Sequence, residues 1–473
     1  MQRFITRIFL ASVLLIGLAA LAVAPIATAT DDSPVGAVFV GTNHNNTHPT
    51  APPGEPGNQV IMYHRASTGS LSLVGHFDTG GQGSGPSIRF AGDGLGSAHS
   101  VELSRDHRWL FVTNAGSNNV SVFRVSETGL ELTDLVPSGG VFPNSVTQHG
   151  DLVYVLNSAG EGNITGFRLS TQGKLTLIPD STRPLNANQD PKRPDTLFNP
   201  TQVSFTPDGK QLVVTIKDGP VAGLLPEFLP QVPQTDPPTF IAPTGPGRVL
   251  VFGIGNDGRP TNLFARNDLD NLGPFGFSFD SQGRLLIALF LGGPPVPPSG
   301  SPTGAVASFQ IQEDGSLNGI TVAALDFQLD TCWFENNGRY GYSANYTSGT
   351  VSSFGIGADG ALRLLDRRAG ITDELPGGTV PGQNRQGSTP LDIRVVDQFV
   401  YDVLPGSGTV AAWKINDDGS LAPLGEFPIP IDADNVTRLK TINGDVAMCE
   451  VSPGVLKPCE FGPGGSPAGI AGY

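Results

Sequence analysis

Few residues in this chain combine a chemically useful side chain with a recurrent position. His99 opens a short apolar segment, and Asn144, Thr201, Asp330, Asp392 and Asp434 open later segments of similar pattern. An imidazole next to a carboxylate can move a proton near neutral pH. His99 and Asp434 therefore read as a catalytic acid–base pair, with Asn144, Thr201, Asp330 and Asp392 as polar groups that hold a ligand. Asp330, Asp392 and Asp434 also have the oxygen donors a hard cation such as calcium takes, but nothing in their spacing fixes a site. His44 and His48 lie in an irregular stretch and read as solvated polar residues rather than metal ligands. No metal and no cofactor is assigned. A Gly-x-Ser-x-Gly elbow, a phosphate-cradling glycine loop and a Cys-x-x-Cys pair are all absent from the sequence.

The elements that must position these residues repeat. From Ala98 to Val136 the chain reads as four short strands, each β-branched or alternating and each bounded by turn residues. The last turn of this unit recurs with glycines at Gly69, Gly129, Gly173, Gly258, Gly315, Gly360 and Gly419. A tight hairpin favours glycine there because it takes positive φ at little steric cost. Six residues before each glycine stands an aromatic: Tyr63, Phe123, Phe167, Phe252, Phe309, Phe354 or Trp413. In a chain that is 8% aromatic this is no coincidence. The aromatics read as packing between radial sheets, and units of about 40 to 50 residues with four strands each predict a propeller. The expected fold is all-β: a seven-bladed β-propeller of four-stranded blades. Its ring is closed by a C-terminal inner strand, read at Asp434–Leu439, that joins the N-terminal strands in blade 1.

The connections are unequal. Links between the first and second strands, and between the third and fourth, are short throughout. Six long insertions (residues 44–57, 80–97, 181–199, 217–247, 291–304 and 370–387) all fall in the other two classes of connection. Alternating strand direction puts all six on one face, which reads as the binding face. The largest, residues 217–247, is Pro-rich and carries Leu224, Leu225, Phe228, Leu229 and Phe240, read as packing back on the body.

Residues 1–29 read as a signal peptide, with Arg3 and Arg7 before an apolar run and Ala27-Thr28-Ala29 as the cleavage site. Residues 30–445 then form the propeller, and 446–473 a Gly/Pro-rich C-terminal tail. The expected location is secreted or periplasmic, with no transmembrane segment. The tally is 28 basic and 43 acidic residues; without Arg3 and Arg7 it is 26 against 43, a net charge near −17. Such a surface disfavours nucleic acid as a partner. Cys449 and Cys459 are close enough in sequence to close a small loop, whereas Cys332 reads as a buried small apolar residue.

The run AHSVELSRDHRWLFVTNAGSNNVSVFRV resembles the lactonase-type seven-bladed propellers, the family of bacterial 6-phosphogluconolactonase and fungal carboxymuconate cyclase. The resemblance implies a lactone hydrolase or lactonising enzyme with His99 facing the channel. Members typically open a later blade with Gly-Pro-Arg-His. Here blade 4 opens Asn199-Pro200-Thr201-Gln202 and lacks the basic side chain for a sugar-acid ligand. Two readings lead, ahead of a third, a structural surface or matrix protein. One is an exported monomeric propeller that binds a small cyclic ester or sugar-acid type ligand at the loop-rich face of the channel and hydrolyses it. The other is a non-catalytic extracellular propeller that holds a glycan or protein in its long loops.

Overall fold

The computed structural model describes residues 33–47, 54, 56–85, 93–196, 198–217, 246–269, 273–290, 295–296, 301–372, 388–405, 408–430, 437–438, 448–452, 455–458, 460–461 and 467–473. Among them there is no helix, and seven antiparallel four-stranded blades form a ring. Blade 2 is typical: inner strand Val101–Leu103, then Trp109–Asn114, Asn119–Ser126 and the outer strand Gly129–Pro137. Blade 3 adds a short fifth strand, Arg183–Pro184, on its third strand.

The repeated aromatic and the repeated glycine serve one contact between blades. All seven aromatics are buried, and each turn glycine backs onto the preceding blade. A Cβ at Gly173 (φ +74°) would lie 2.2 Å from Cζ3 of Trp109, and one at Gly69 (φ +87°) 2.5 Å from Cδ1 of Phe399. Second-strand tyrosines reach the same turns: the hydroxyls of Tyr154, Tyr342 and Tyr401 donate to the carbonyls of Gly258 (2.7 Å), Gly419 (3.1 Å) and Gly69 (2.8 Å). A β-bulge recurs at the aromatic in blades 1, 2, 5, 6 and 7, adding the local twist that lets the sheets fan outward.

The ring closes with a C-terminal strand, but not with the expected one. Ile470–Gly472 pairs with Val38–Val40 as the inner strand of blade 1. Asp434 lies outside the described residues, and Thr437–Arg438 pair with Glu460–Phe461 instead. The Gly-rich end thus belongs partly to the propeller. Small residues are needed where inner strands converge: a Cβ at Gly469 would fall 2.1 Å from Oγ of Ser100. Tyr473 completes the seam. Its ring stacks on His107 at 4.5 Å, and its backbone oxygen accepts from Nε of Arg65 at 3.0 Å.

One blade carries a misfit. Asp402 pairs with Ala411, two residues before Trp413, where blades 1 to 4 carry Val40, Val112, Val155 and Val214. It alternates with Val400 and Leu404, which share an apolar cluster with Tyr342 and Val351 of blade 6. Both carboxyl oxygens are buried without a hydrogen-bond partner. Burial, then Asp392, pushes the Asp402 pKa well above its usual value. The folded state therefore keeps a proton that the unfolded chain releases as pH rises above the ordinary carboxylate range, so this group costs stability at neutral pH. Asp402→Val should stabilise the protein by about 1–3 kcal/mol at pH 7 and by less at pH 4. Urea unfolding at the two pH values checks this, and an equal gain at both would contradict it.

Candidate functional site

The inner strands converge on an axial channel, and a bulge at the start of four of them decides which side chains face it. In blades 3, 4, 5 and 6 the register with the second strand shifts between Pro143/Ser145, Pro200/Gln202, Pro274/Phe277 and Thr331/Trp333. Beyond the bulge the residues paired alike are Val101, Val146, Val203, Phe277, Phe334 and Ile393, so their neighbours Ser100, Gln202 and Asp392 mark one ring of positions. Glu102, Ser204, Ser278, Glu335 and Arg394 mark the next ring, toward the short turns.

At the loop-rich end the channel is plugged by the segment 95–99. The backbone N–H of Ala98 donates to the carbonyl of Thr201 (3.1 Å), and Nδ2 of Asn199 donates to that of Leu95 (3.1 Å). From the far side, Nε1 of Trp333 donates to the carbonyl of Ser97 (2.9 Å). Lys217 donates to the carbonyls of Gly96 (3.3 Å) and Thr196, its Nζ lying 4.0 Å above the Phe275 ring. Burial lowers the Lys217 pKa to about 8, although Asp93, Cys332, Asp195 and Asp330 pull the other way.

His99 ends the plug, in a left-handed conformation (φ +60°). Its Nε2 lies 3.1 Å from Oε1 of Glu335 in blade 6, and its Nδ1 lies 3.5 Å from Oε2 of Glu102 and 3.5 Å from Nε2 of Gln202 in blade 4. Arg394 of blade 7 donates to Glu102 (2.8 Å), to Glu335 (3.2 Å) and, through Nε, to the carbonyl of Ile470 (3.3 Å). Burial works against this guanidinium's charge, but Glu102 and Glu335 outweigh it and hold the group above its usual range. Burial raises the Asp392 pKa to about 7, opposed by His99 and Arg394, and the carboxylate accepts the backbone N–H of His99. Ser100, Gln202, Trp333 and Asp392 are buried. In the ring below, the side chains of Glu102, Arg394 and Glu335 keep 21%, 15% and 12% of their exposure, and that of His99 13%. Solvent reaches the cluster beneath the plug.

The other expected site residues lie elsewhere. Nδ2 of Asn144 donates to the carbonyl of Pro200 (2.9 Å), tying blade 3 to blade 4. Thr201 shares a bond with Thr215 (2.6 Å) and reaches the carbonyl of Phe275, tying blade 4 to blade 5. Asp330 is half-buried on the plug side, where it accepts from Thr347 and desolvation raises its pKa. The structure thus brings His99 and Asp392 together, but not Asn144, Thr201 or Asp330. Glu102, Glu335 and Arg394 were missed. Strand alternation was the signal: if Ser100 faces the channel, so does Glu102. His44 is not solvated but buried, which lowers its pKa to about 4 with help from His76. His48 and Cys459 lie outside the described residues, and Cys332 is buried and free. Among the described residues no group of three His, Cys, Asp or Glu side chains could hold a metal, and no helix is long and apolar enough to cross a membrane.

Residues 53–189, from the first long insertion to the extra strand of blade 3 and just beyond, match the family described as Lactonase, 7-bladed beta-propeller. Over that stretch the chain is similar to the lactonase-type propellers. An uncharacterised protein of Staphylococcus aureus strain N315 is 35% identical over 96 residues, which are 19% of this chain and 28% of that protein. The match thus spans little more than a quarter of that curated relative. Among solved structures, a Lactobacillus plantarum protein superposes with a TM-score of 0.56 at 14% identity, covering 92% of this chain and 99% of its own. A periplasmic gluconolactonase of Pseudomonas aeruginosa gives 0.55 at 16% identity, covering 83% and 96%. At such identities the superpositions speak for the fold. His99 and Glu102 of this propeller fall inside the matched stretch; Glu335, Asp392 and Arg394 fall outside it.

The buried ammonium gives a testable stability signature. The folded state sheds the Lys217 proton near pH 8, whereas the unfolded chain holds it to about 10.4. Stability from this group therefore rises with pH across that window. Relative to Lys217→Met, the wild type should gain up to about 3 kcal/mol between pH 8 and 10 in urea unfolding. Parallel curves would rule out the buried ammonium.

Proposed function

We propose that this propeller binds a small cyclic ester inside the channel and hydrolyses it. The observation that carries the reading is the His99 imidazole, held under the plug with the Glu335 carboxylate 3.1 Å behind it on a chain with the lactonase family match. In this reading His99 takes a proton from a water molecule as the oxygen attacks the lactone carbonyl carbon. The same proton goes to the ring oxygen as the ester C–O bond breaks, leaving a hydroxy acid. Glu335 orients the imidazole, and Asp392 holds the backbone of His99 and so the plug. The plug supports a ligand position within the channel rather than on the loop-rich rim, with the solvated ring below it as the approach.

The test is proton release from γ- and δ-lactones followed by pH-stat. His99→Asn keeps a side chain that tolerates positive φ and should lower the rate by on the order of 10² to 10⁴. The wild-type rate should rise with pH through about 7 as Asp392 ionises, and Asp392→Asn should flatten that limb. Background rates with both wild type and variant would remove the hydrolase reading. The non-catalytic alternative, an extracellular propeller that binds glycan or protein, is favoured by the six long insertions on one face; it predicts binding without turnover.

Export is part of the proposal. The basic start, the apolar run and the small-residue Ala27-Thr28-Ala29 site support cleavage after Ala29. Protein recovered from the source cells should begin at Thr30 by N-terminal sequencing; an uncleaved Met1 would contradict this.

A further inference from the structure

We propose that the channel selects an uncharged, polyhydroxylated lactone and rejects phosphorylated or carboxylated ones. This inference rests on the hydrolase site described above and specifies its ligand class. The ionisable groups facing the site are Glu102 from blade 2, Glu335 from blade 6, Asp392 and Arg394 from blade 7, and His99 from the plug. Above pH 7, with Asp392 ionised, three carboxylates stand against one guanidinium. Even a charged imidazole leaves the site negative.

The guanidinium is already committed to the acceptors around it. Phosphate is recognised by paired N–H donors, and all three nitrogens of Arg394 are engaged: Nε with the carbonyl of Ile470, Nη1 with Glu335 and Nη2 with Glu102. Lys217 lies on the other side of the plug, bonded to Gly96 and Thr196. An anionic ligand would meet more carboxylates than cations, an arrangement that costs binding energy. Hydroxyl groups fare differently. Glu102 and Glu335 have further acceptor capacity, and the partly exposed Ser204 and Ser278 stand at the same level of neighbouring inner strands. The ring is equipped to accept hydrogen bonds from a sugar-like ring.

Two non-hydrolysable probes test this: δ-gluconolactam and its 6-phosphate, titrated into the mature protein by isothermal calorimetry at pH 7.5. The neutral lactam should bind at least about tenfold more tightly. Glu102→Gln removes one negative charge while keeping an oxygen for Arg394, and should narrow that preference. Equal or tighter binding of the phosphorylated lactam would overturn the proposal, and so would failure of both probes to bind. The hydrolase reading fails separately. Binding of the neutral lactam with no turnover of δ-gluconolactone would remove catalysis and leave the selectivity. Faster turnover of the 6-phospholactone would keep catalysis and sink the selectivity.

Discussion

The Arg394 guanidinium joins the parts of this molecule that are farthest apart in sequence. From blade 7 it reaches the closing strand at Ile470, blade 2 at Glu102 and blade 6 at Glu335. A single buried charge would be untenable, and a lone carboxylate there no better. Together they offset one another's partial desolvation, and removing the guanidinium would leave two unpaired carboxylates in the channel. The same group therefore holds the ring at its seam and sets the charge against which His99 works.

Around that centre the propeller separates support from chemistry. Turn glycines, second-strand tyrosines and the buried aromatic in each blade bond a sheet to its neighbour near the outer circumference. Near the axis the sheets have little room, and small residues such as Gly276 and Gly469 allow close approach. What remains in the middle is filled by polar side chains and by the segment 95–99. Lys217, Asn199 and Trp333 hold that segment from three sides. The left-handed conformation of His99 is strain that this packing sustains.

The fold was legible because the repeat is local. A hairpin glycine and an aromatic six residues before it lie within one turn of chain, and each has its own steric or packing reason. The closing strand was harder. Asp434–Leu439 has the β-branched look of an inner strand, whereas Ala468 to Gly472 has the composition of a loop. Convergence at the axis reverses that preference, because a bulky strand would not fit against Ser100 and Val101. The site was legible in part for a related reason. His99 and Asp392 were recognisable as openings of inner strands, but counting from those openings ignored the bulges that turn Asn144 and Thr201 into the joints between blades.

By itself the sequence determined the number of blades, their four-strand plan, the face that carries the insertions and the presence of one histidine at an inner strand. These follow from periodicity and turn chemistry, which act over a few residues. Only the tertiary structure decided that Glu102, Arg394 and Glu335 meet, that the chain before His99 plugs the channel, and that the last described residues close the ring. Those outcomes depend on contacts across a closed ring, where partners hundreds of residues apart are placed by the sheets between them.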